Sequence, residues 1–245
     1  MPLPAEGLIA GMADNRCVIL FVKLPEQGKV KSRIARYVDG EMVLRLYECM
    51  VLDTIDVLKQ VLAPFHICFD PPGSLDRAQN WLGQDYSYMP QTGDDLGERM
   101  EQAFVRVFSG GVTEALLIGS DIPGLPAAVI EAAFRALATH DAVLGPADDG
   151  GYYLIGFKKS SFYPRIFHEM LWSTGTVYRK TVERMHKALL SVHVLPQCMD
   201  VDTKEDLLKL LAGQHEQAST GRRTAQFLRQ HRDGIGRAID KALFL

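Results

Sequence analysis

The sequence predicts an α/β fold built on a mostly parallel sheet, and two features carry that expectation. Short unbroken apolar runs, as expected of strands covered on both faces, alternate with amphipathic stretches of a dozen or more residues. Such alternation implies right-handed crossovers between parallel neighbours. In sheets of this kind ligands bind beyond the carboxyl ends of the strands. Four loops rich in Gly, Lys, Arg and Asp follow predicted strands at that edge.

The elements follow in order. Residues 17–22 (Cys-Val-Ile-Leu-Phe-Val) form the first apolar run. Over 41–61, apolar Val43, Leu46, Tyr47, Met50, Val57 and Val61 recur at helical spacing. Residues 65–69 read as the next strand, stopped by Pro71, Pro72 and Gly73. A helix opens at Asp94-Asp95, where Asp95 and Glu98 resemble a capping box. Residues 115–119 form a strand, followed by a helix with Pro126 at its first position. Strands at 142–144 and 152–157, a helix near 176–190, a strand at 191–195 and a helix from Thr203 complete the core. The expected organisation is one domain over 16–211, with an Arg-rich helical extension over 212–245 suited to packing or a homodimer contact.

Composition bounds the function. With 47% hydrophobic and 23% charged residues the chain is an ordinary globular one, and 245 residues suffice for one large domain. A net charge of −3 gives no basic surface for nucleic acid. No run of about 18 apolar residues is present to span a bilayer. Residues 1–16 lack the basic start and apolar run of a signal peptide. The four cysteines form no CxxC pair, which fits reduced thiols. A cytoplasmic location is expected.

The first loop, 23–33, carries Lys23, Gly28, Lys29, Lys31 and Arg33. A glycine, backbone amides and several cations suit a di- or triphosphate, although the spacing is not a Walker loop and a solvated basic turn has the same composition. The second, Gly119-Ser120-Asp121-Ile122-Pro123, places an aspartate directly after a strand. There Asp121 can hold Mg²⁺ or Mn²⁺ against phosphate, or serve as a turn former. The third, 145–153, joins Asp148 and Asp149 to Gly150 and Gly151, as an acceptor site or as a hairpin turn. In the fourth, Thr203 and Asp206 start a helix, and Asp200 with Asp202 bring more carboxylate than a cap requires. Trp172 and the 173–176 turn, including Thr174, line a pocket or cap the next helix.

In this order the loops resemble the nucleotide-diphospho-sugar transferase superfamily. The nearer resemblance is to its radical-SAM/selenodomain-associated branch, the arsenosugar-biosynthesis-type glycosyltransferases; a more distant one is to 2-phospholactate guanylyltransferase. The residues that carry it are 23–33, Gly93-Asp94-Asp95-Leu96-Gly97-Glu98-Arg99-Met100, 119–123, 146–156 and 200–203. The resemblance implies a GT-A (Rossmann-like) three-layer α/β/α sandwich with a mixed, mainly parallel sheet. It implies that Lys23, Gly28, Lys29, Lys31 and Arg33 hold the phosphates of a nucleotide sugar or NTP. Gly93, Asp95, Leu96 and Gly97 would approach base or sugar, and Asp121 with Asp202 would bind Mg²⁺ or Mn²⁺. Asp148, Asp149, Gly150, Gly151, Trp172 and Thr174 would face a small-molecule acceptor, with Lys31, Arg33 and Asp121 catalytic. The chain departs from relatives in Ser32-Arg33-Ile34, usually Thr-Arg-Leu, and Asp121 stands without an Asp-x-Asp partner. Glycosyl transfer is the first expectation, nucleotidyl transfer with release of pyrophosphate the second, and a non-catalytic nucleotide-binding regulator the third.

Overall fold

The computed structural model describes residues 15–213 and 221–242. The expected lack of a leader over residues 1–14, and most of the polar link after 212, lie outside the described residues. Seven strands form one sheet in the order β3-β2-β1-β4-β6-β5-β7. They are β1 (Arg16–Lys23), β2 (Phe65–Asp70), β3 (Ser87–Pro90), β4 (Glu114–Ile118), β5 (Ala142–Pro146), β6 (Tyr152–Lys158) and β7 (Val192–Val194). Among them only β6 runs antiparallel to its neighbours, β4 and β5. The mixed, mainly parallel sheet expected from the sequence is therefore present.

Helices cover both faces. On one side α1 (Gly40–Leu58), α2 (Leu75–Leu82) and α4 (Ala127–Leu137) pack over Val18, Leu20, Ile67, Leu116 and Ile118. On the other, α3 (Leu96–Ser109) and α5 (Val177–Lys187) pack over Cys17, Ile19, Leu117 and Ile155. Consecutive residues Cys17–Leu20 are wholly buried, because alternate side chains enter opposite layers.

Local chemistry fixes the helix starts. The Asp39 carboxylate accepts the N–H groups of Glu41 and Met42 at the head of α1. Asp95 caps α3 by accepting the N–H of Glu98, while the Glu98 carboxylate takes the N–H of Asp94 rather than that of the cap itself. Thr203 and Asp206 form a full capping box at the head of α6 (Lys204–Leu211). Pro126 stands at the cap of α4, one position earlier than expected.

The C-terminal helix α7 (Arg222–Ala242) lies along α1 and α6. Its Phe227, Leu228, Ile235 and Ile239 share a third apolar cluster with Ile34, Val38 and Met50, and with Val201 and Leu207. Buried Asp53 of α1 accepts the N–H groups of Arg223 and Thr224, capping α7 from another helix. No helix among the described residues is long and apolar enough to cross a membrane.

Candidate functional site

The chain leaves β1 toward β2 and β3 on one side, and returns to β4 on the other. That reversal opens a crevice between the carboxyl ends of β1 and β4, the usual position for a ligand in such sheets. A cavity of about 430 Å³ lies there. Four carboxylates (Asp121, Asp149, Asp200, Asp202) and three lysines (Lys23, Lys29, Lys31) line it, with Phe21, Leu96, Met100, Tyr152 and Trp172 as an apolar wall.

Its centre is a chain of charges. The Lys31 ammonium lies 2.7 Å from Asp121 Oδ1 and 3.9 Å from Asp202 Oδ1. Arg33 holds the other oxygen of Asp202 at 3.0 Å. The Lys31 side chain is 3% exposed, against 48% for Asp121 and 36% for Asp202. Its backbone sits at φ +48°, in the left-handed region, which turns the side chain inward from the loop. The ion pair with Asp121 is one of charge and proximity, because the Lys31 Nζ has no directed hydrogen-bond partner among the described residues.

Surrounding contacts hold these groups. Val201 donates its N–H to the Asp121 carbonyl at 3.0 Å, tying the loop after β4 to the loop before α6. The Tyr47 hydroxyl accepts the Lys23 N–H and donates to the Lys23 carbonyl, fixing the end of β1. Burial, and then the charge of Asp121, push the Tyr47 phenol well above its ordinary range, so it stays protonated. Burial and then the Asp149 charge push Asp200 up to about 6. Gln91 follows β3 and donates to the carbonyls of Val22 and Cys68, which locks the ends of β1 and β2 together.

Two carboxylates converging on one cation fit Mg²⁺ or Mn²⁺, which commonly takes one or two protein carboxylates and completes its shell with phosphate and water. No group of three or more ligating side chains suited to a metal occurs among the described residues, so such an ion would depend on its substrate for further ligands. The lining carboxylates outnumber the lysines, so a polyphosphate entering alone meets no net positive field.

Comparison with known proteins adds an identity. The family described as "Uncharacterized protein conserved in bacteria (DUF2064)" matches residues 53–174. A crystal structure from Desulfovibrio desulfuricans G20, provisionally named a nucleotide-diphospho-sugar transferase, is 38% identical with a TM-score of 0.83. The match covers 92% of this chain and 98% of that one. The chain belongs to the nucleotide-diphospho-sugar transferase family. Two remoter structures share the fold alone. CMP:2-keto-3-deoxy-manno-octonic acid synthetase, solved with CTP, is 10% identical with a TM-score of 0.52 over 81% of this chain and 98% of that one. 4-Diphosphocytidyl-2C-methyl-D-erythritol synthase from Anaerococcus prevotii DSM 20548 is 13% identical, with a TM-score of 0.53 over 83% and 100%. No curated protein matches.

In this family member the residues singled out by sequence divide into two groups. Lys23, Lys29, Lys31, Leu96, Asp121, Asp149, Gly151, Trp172, Thr174 and Asp202 line the cavity. The others stand behind or beside it. Asp148 accepts from Gln197 at 2.8 Å, and Gly93 and Asp95 border a neighbouring groove. Gly28, at φ +79°, turns the first loop, and Lys29 is paired with Glu26. Gly97 is a packing glycine: a Cβ there would lie 2.6 Å from the Phe167 carbonyl and from the Trp172 ring. Gly150, at φ +85°, is pressed against the Gly175 backbone, so the Asp149 turn and the Thr174 turn meet with no side chain between them. Sequence reasoning named Leu96 and Trp172 of the apolar wall but missed Gln91, Tyr47, Phe21, Met100 and Tyr152 as site residues. The signal for Gln91 would have been the short strand before it, which was itself unread.

Proposed function

We propose that the chain moves a glycosyl group from a nucleotide-sugar donor to a small-molecule acceptor, with Mg²⁺ or Mn²⁺ at Asp121 and Asp202. The observation that supports it most is the run Asp121–Lys31–Asp202–Arg33 at the crevice between β1 and β4. Such a run sets cations and carboxylates where a diphosphate would leave. The chemistry supplied by a bound divalent ion is neutralisation of the charge gathering on the departing phosphate oxygens. Lys31, Lys29 and Lys23 would bind and orient those phosphates, and Arg33 would hold Asp202 in place. Leu96, Trp172 and Tyr152 would cover a sugar or base face and exclude water, as aromatic and aliphatic walls do. Asp149, fixed by its bond from the Gly151 N–H, would address the acceptor. The motifs shared with the radical-SAM/selenodomain-associated branch support a small-molecule acceptor.

Nucleotidyl transfer is the second reading, because three lysines in one cavity also suit a triphosphate. Against it, Lys29, Lys31 and Arg33 each face a carboxylate, which leaves less charge for a third phosphate.

Thermal melts with nucleoside triphosphates, diphosphates and nucleotide sugars, each with and without Mg²⁺ or Mn²⁺, test the assignment. Saturation at about a hundred times the dissociation constant adds about 2.7 kcal/mol, or roughly 5–10 °C for a chain this size. A metal-dependent shift with one nucleotide sugar is the expected result. A shift confined to a triphosphate moves the assignment to nucleotidyl transfer, and no shift with any nucleotide overturns both.

A further inference from the structure

We propose that Lys31 is a built-in counter-ion for the Asp121–Asp202 pair, so that the site accepts a divalent cation only when a phosphate-bearing donor draws the ammonium away. The proposal rests on the metal-dependent reading above and adds an order to it: cation and donor load together.

The ammonium sits between the two carboxylates, 2.7 Å from Asp121 Oδ1 and 3.9 Å from Asp202 Oδ1, almost sealed from solvent. Two cations held by the same carboxylate oxygens repel strongly at such distances, so the lysine and a divalent ion compete for the place. Lys31 is held there by charge rather than by directed hydrogen bonds. Its Nζ has three protons to donate and no directed hydrogen bond among the described residues, so charge alone retains it. The oxygens of a bound diphosphate accept charge-assisted hydrogen bonds from several directions and give the ammonium somewhere to go.

Asp202 has a second cation, and the loop that carries Asp121 is held by its main chain. Arg33 holds Asp202 by Oδ2 and leaves Oδ1 turned to Lys31. The Asp121 carbonyl is bound to the Val201 N–H, which ties the two acidic loops together through the backbone. Removal of the ammonium therefore leaves both acidic loops in place, with carboxylates partly open to water.

Electron paramagnetic resonance titration of the full chain with Mn²⁺ alone, no nucleotide present, reads this directly. The wild type should bind Mn²⁺ weakly and Lys31→Met at least tenfold more tightly. Lys31→Arg, which keeps the charge, should stay with the wild type. Adding Asp121→Asn to Lys31→Met should abolish the gain. Equal affinity in wild type and Lys31→Met overturns the proposal, as does a gain that survives Asp121→Asn. The two readings fail separately. A metal-dependent nucleotide shift without a Lys31→Met gain keeps the transferase assignment and overturns the counter-ion. A gain without any nucleotide shift keeps Lys31 as the counter-ion but overturns both the assignment and the coupling of cation to donor.

Discussion

The carbonyl oxygen of Asp121 accepts the backbone N–H of Val201 at 3.0 Å. That bond joins two loops far apart in sequence at the point where their carboxylates face Lys31. Because it runs through the main chain, the side chain of Asp121 can be changed without releasing the loop.

Asp121→Asn should therefore keep the fold and lose the chemistry. Turnover of whichever nucleotide donor the melts identify should drop by about 10²–10³-fold, the scale seen when one transition-state-stabilising group is removed. The unliganded melting midpoint should fall without loss of folding, because the buried Lys31 ammonium keeps only Asp202, at 3.9 Å. A variant that retains full metal-dependent turnover would remove Asp121 from the catalytic set.

Gly97→Ala tests the packing behind the wall. The added methyl would meet the Phe167 carbonyl and the Trp172 ring at 2.6 Å, so either α3 or Trp172 must shift. Overpacking of this kind costs about 1–3 kcal/mol. Urea denaturation gives the cost, and Trp172 emission shows which partner moved. An unchanged midpoint and an unchanged emission would mean the contact yields freely.

Asp53→Ala removes the carboxylate that caps α7. Two backbone N–H groups, of Arg223 and Thr224, lose their acceptor, and the buried Thr224 hydroxyl already has no hydrogen-bond partner among the described residues. The expected loss is about 1–2 kcal/mol, the range for removal of a helix cap. Hydrogen exchange should speed up in α7 before it does in β1 or β4; uniform loss of protection would show that α7 unfolds only with the whole.

His66 sets an acid limb on stability. Burial in β2, and then the charge of Arg106, lower its pKa below the ordinary 6.5. The unfolded chain then binds the proton more tightly than the folded one. Stability contributed here is complete above pH 6.5 and falls as pH descends from that value to the lower folded pKa. His66→Asn should flatten that part of the urea midpoint against pH; an identical slope in both proteins would place the acid sensitivity elsewhere.

The legible parts of this chain are those whose neighbours are local or uniformly apolar. The central residues of β1 and β4 are buried on both faces and read as unbroken apolar runs, and α1 shows its buried stripe at helical spacing. β3 was not legible, since four residues containing Ser and Pro at a sheet edge carry no alternation. α2 escaped for a similar reason, with eight residues, half of them polar, and only Ala78 and Leu82 buried. In the site, Lys31, Arg33, Asp121 and Asp202 were each visible as polar residues after strands. Asp121 and Asp202 were expected to meet, but their ion pairs with Lys31 and Arg33 were not read, because these arise from β1 and β4 lying side by side and from the loop before α6 arriving late in the chain. The first loop thus reads as a free basic surface in sequence, whereas in the fold three of its cations stand opposite carboxylates.

α7 shares one apolar cluster with Ile34 and Val38, just past the basic loop, and with Val201, beside Asp202. α7 is therefore packed against the chain just past one acidic-basic loop of the site and just before the other. Loosening of this helix would uncover apolar side chains beside both loops at once. The precision of the crevice is thus tied to the docking of a helix that contributes no side chain to its lining.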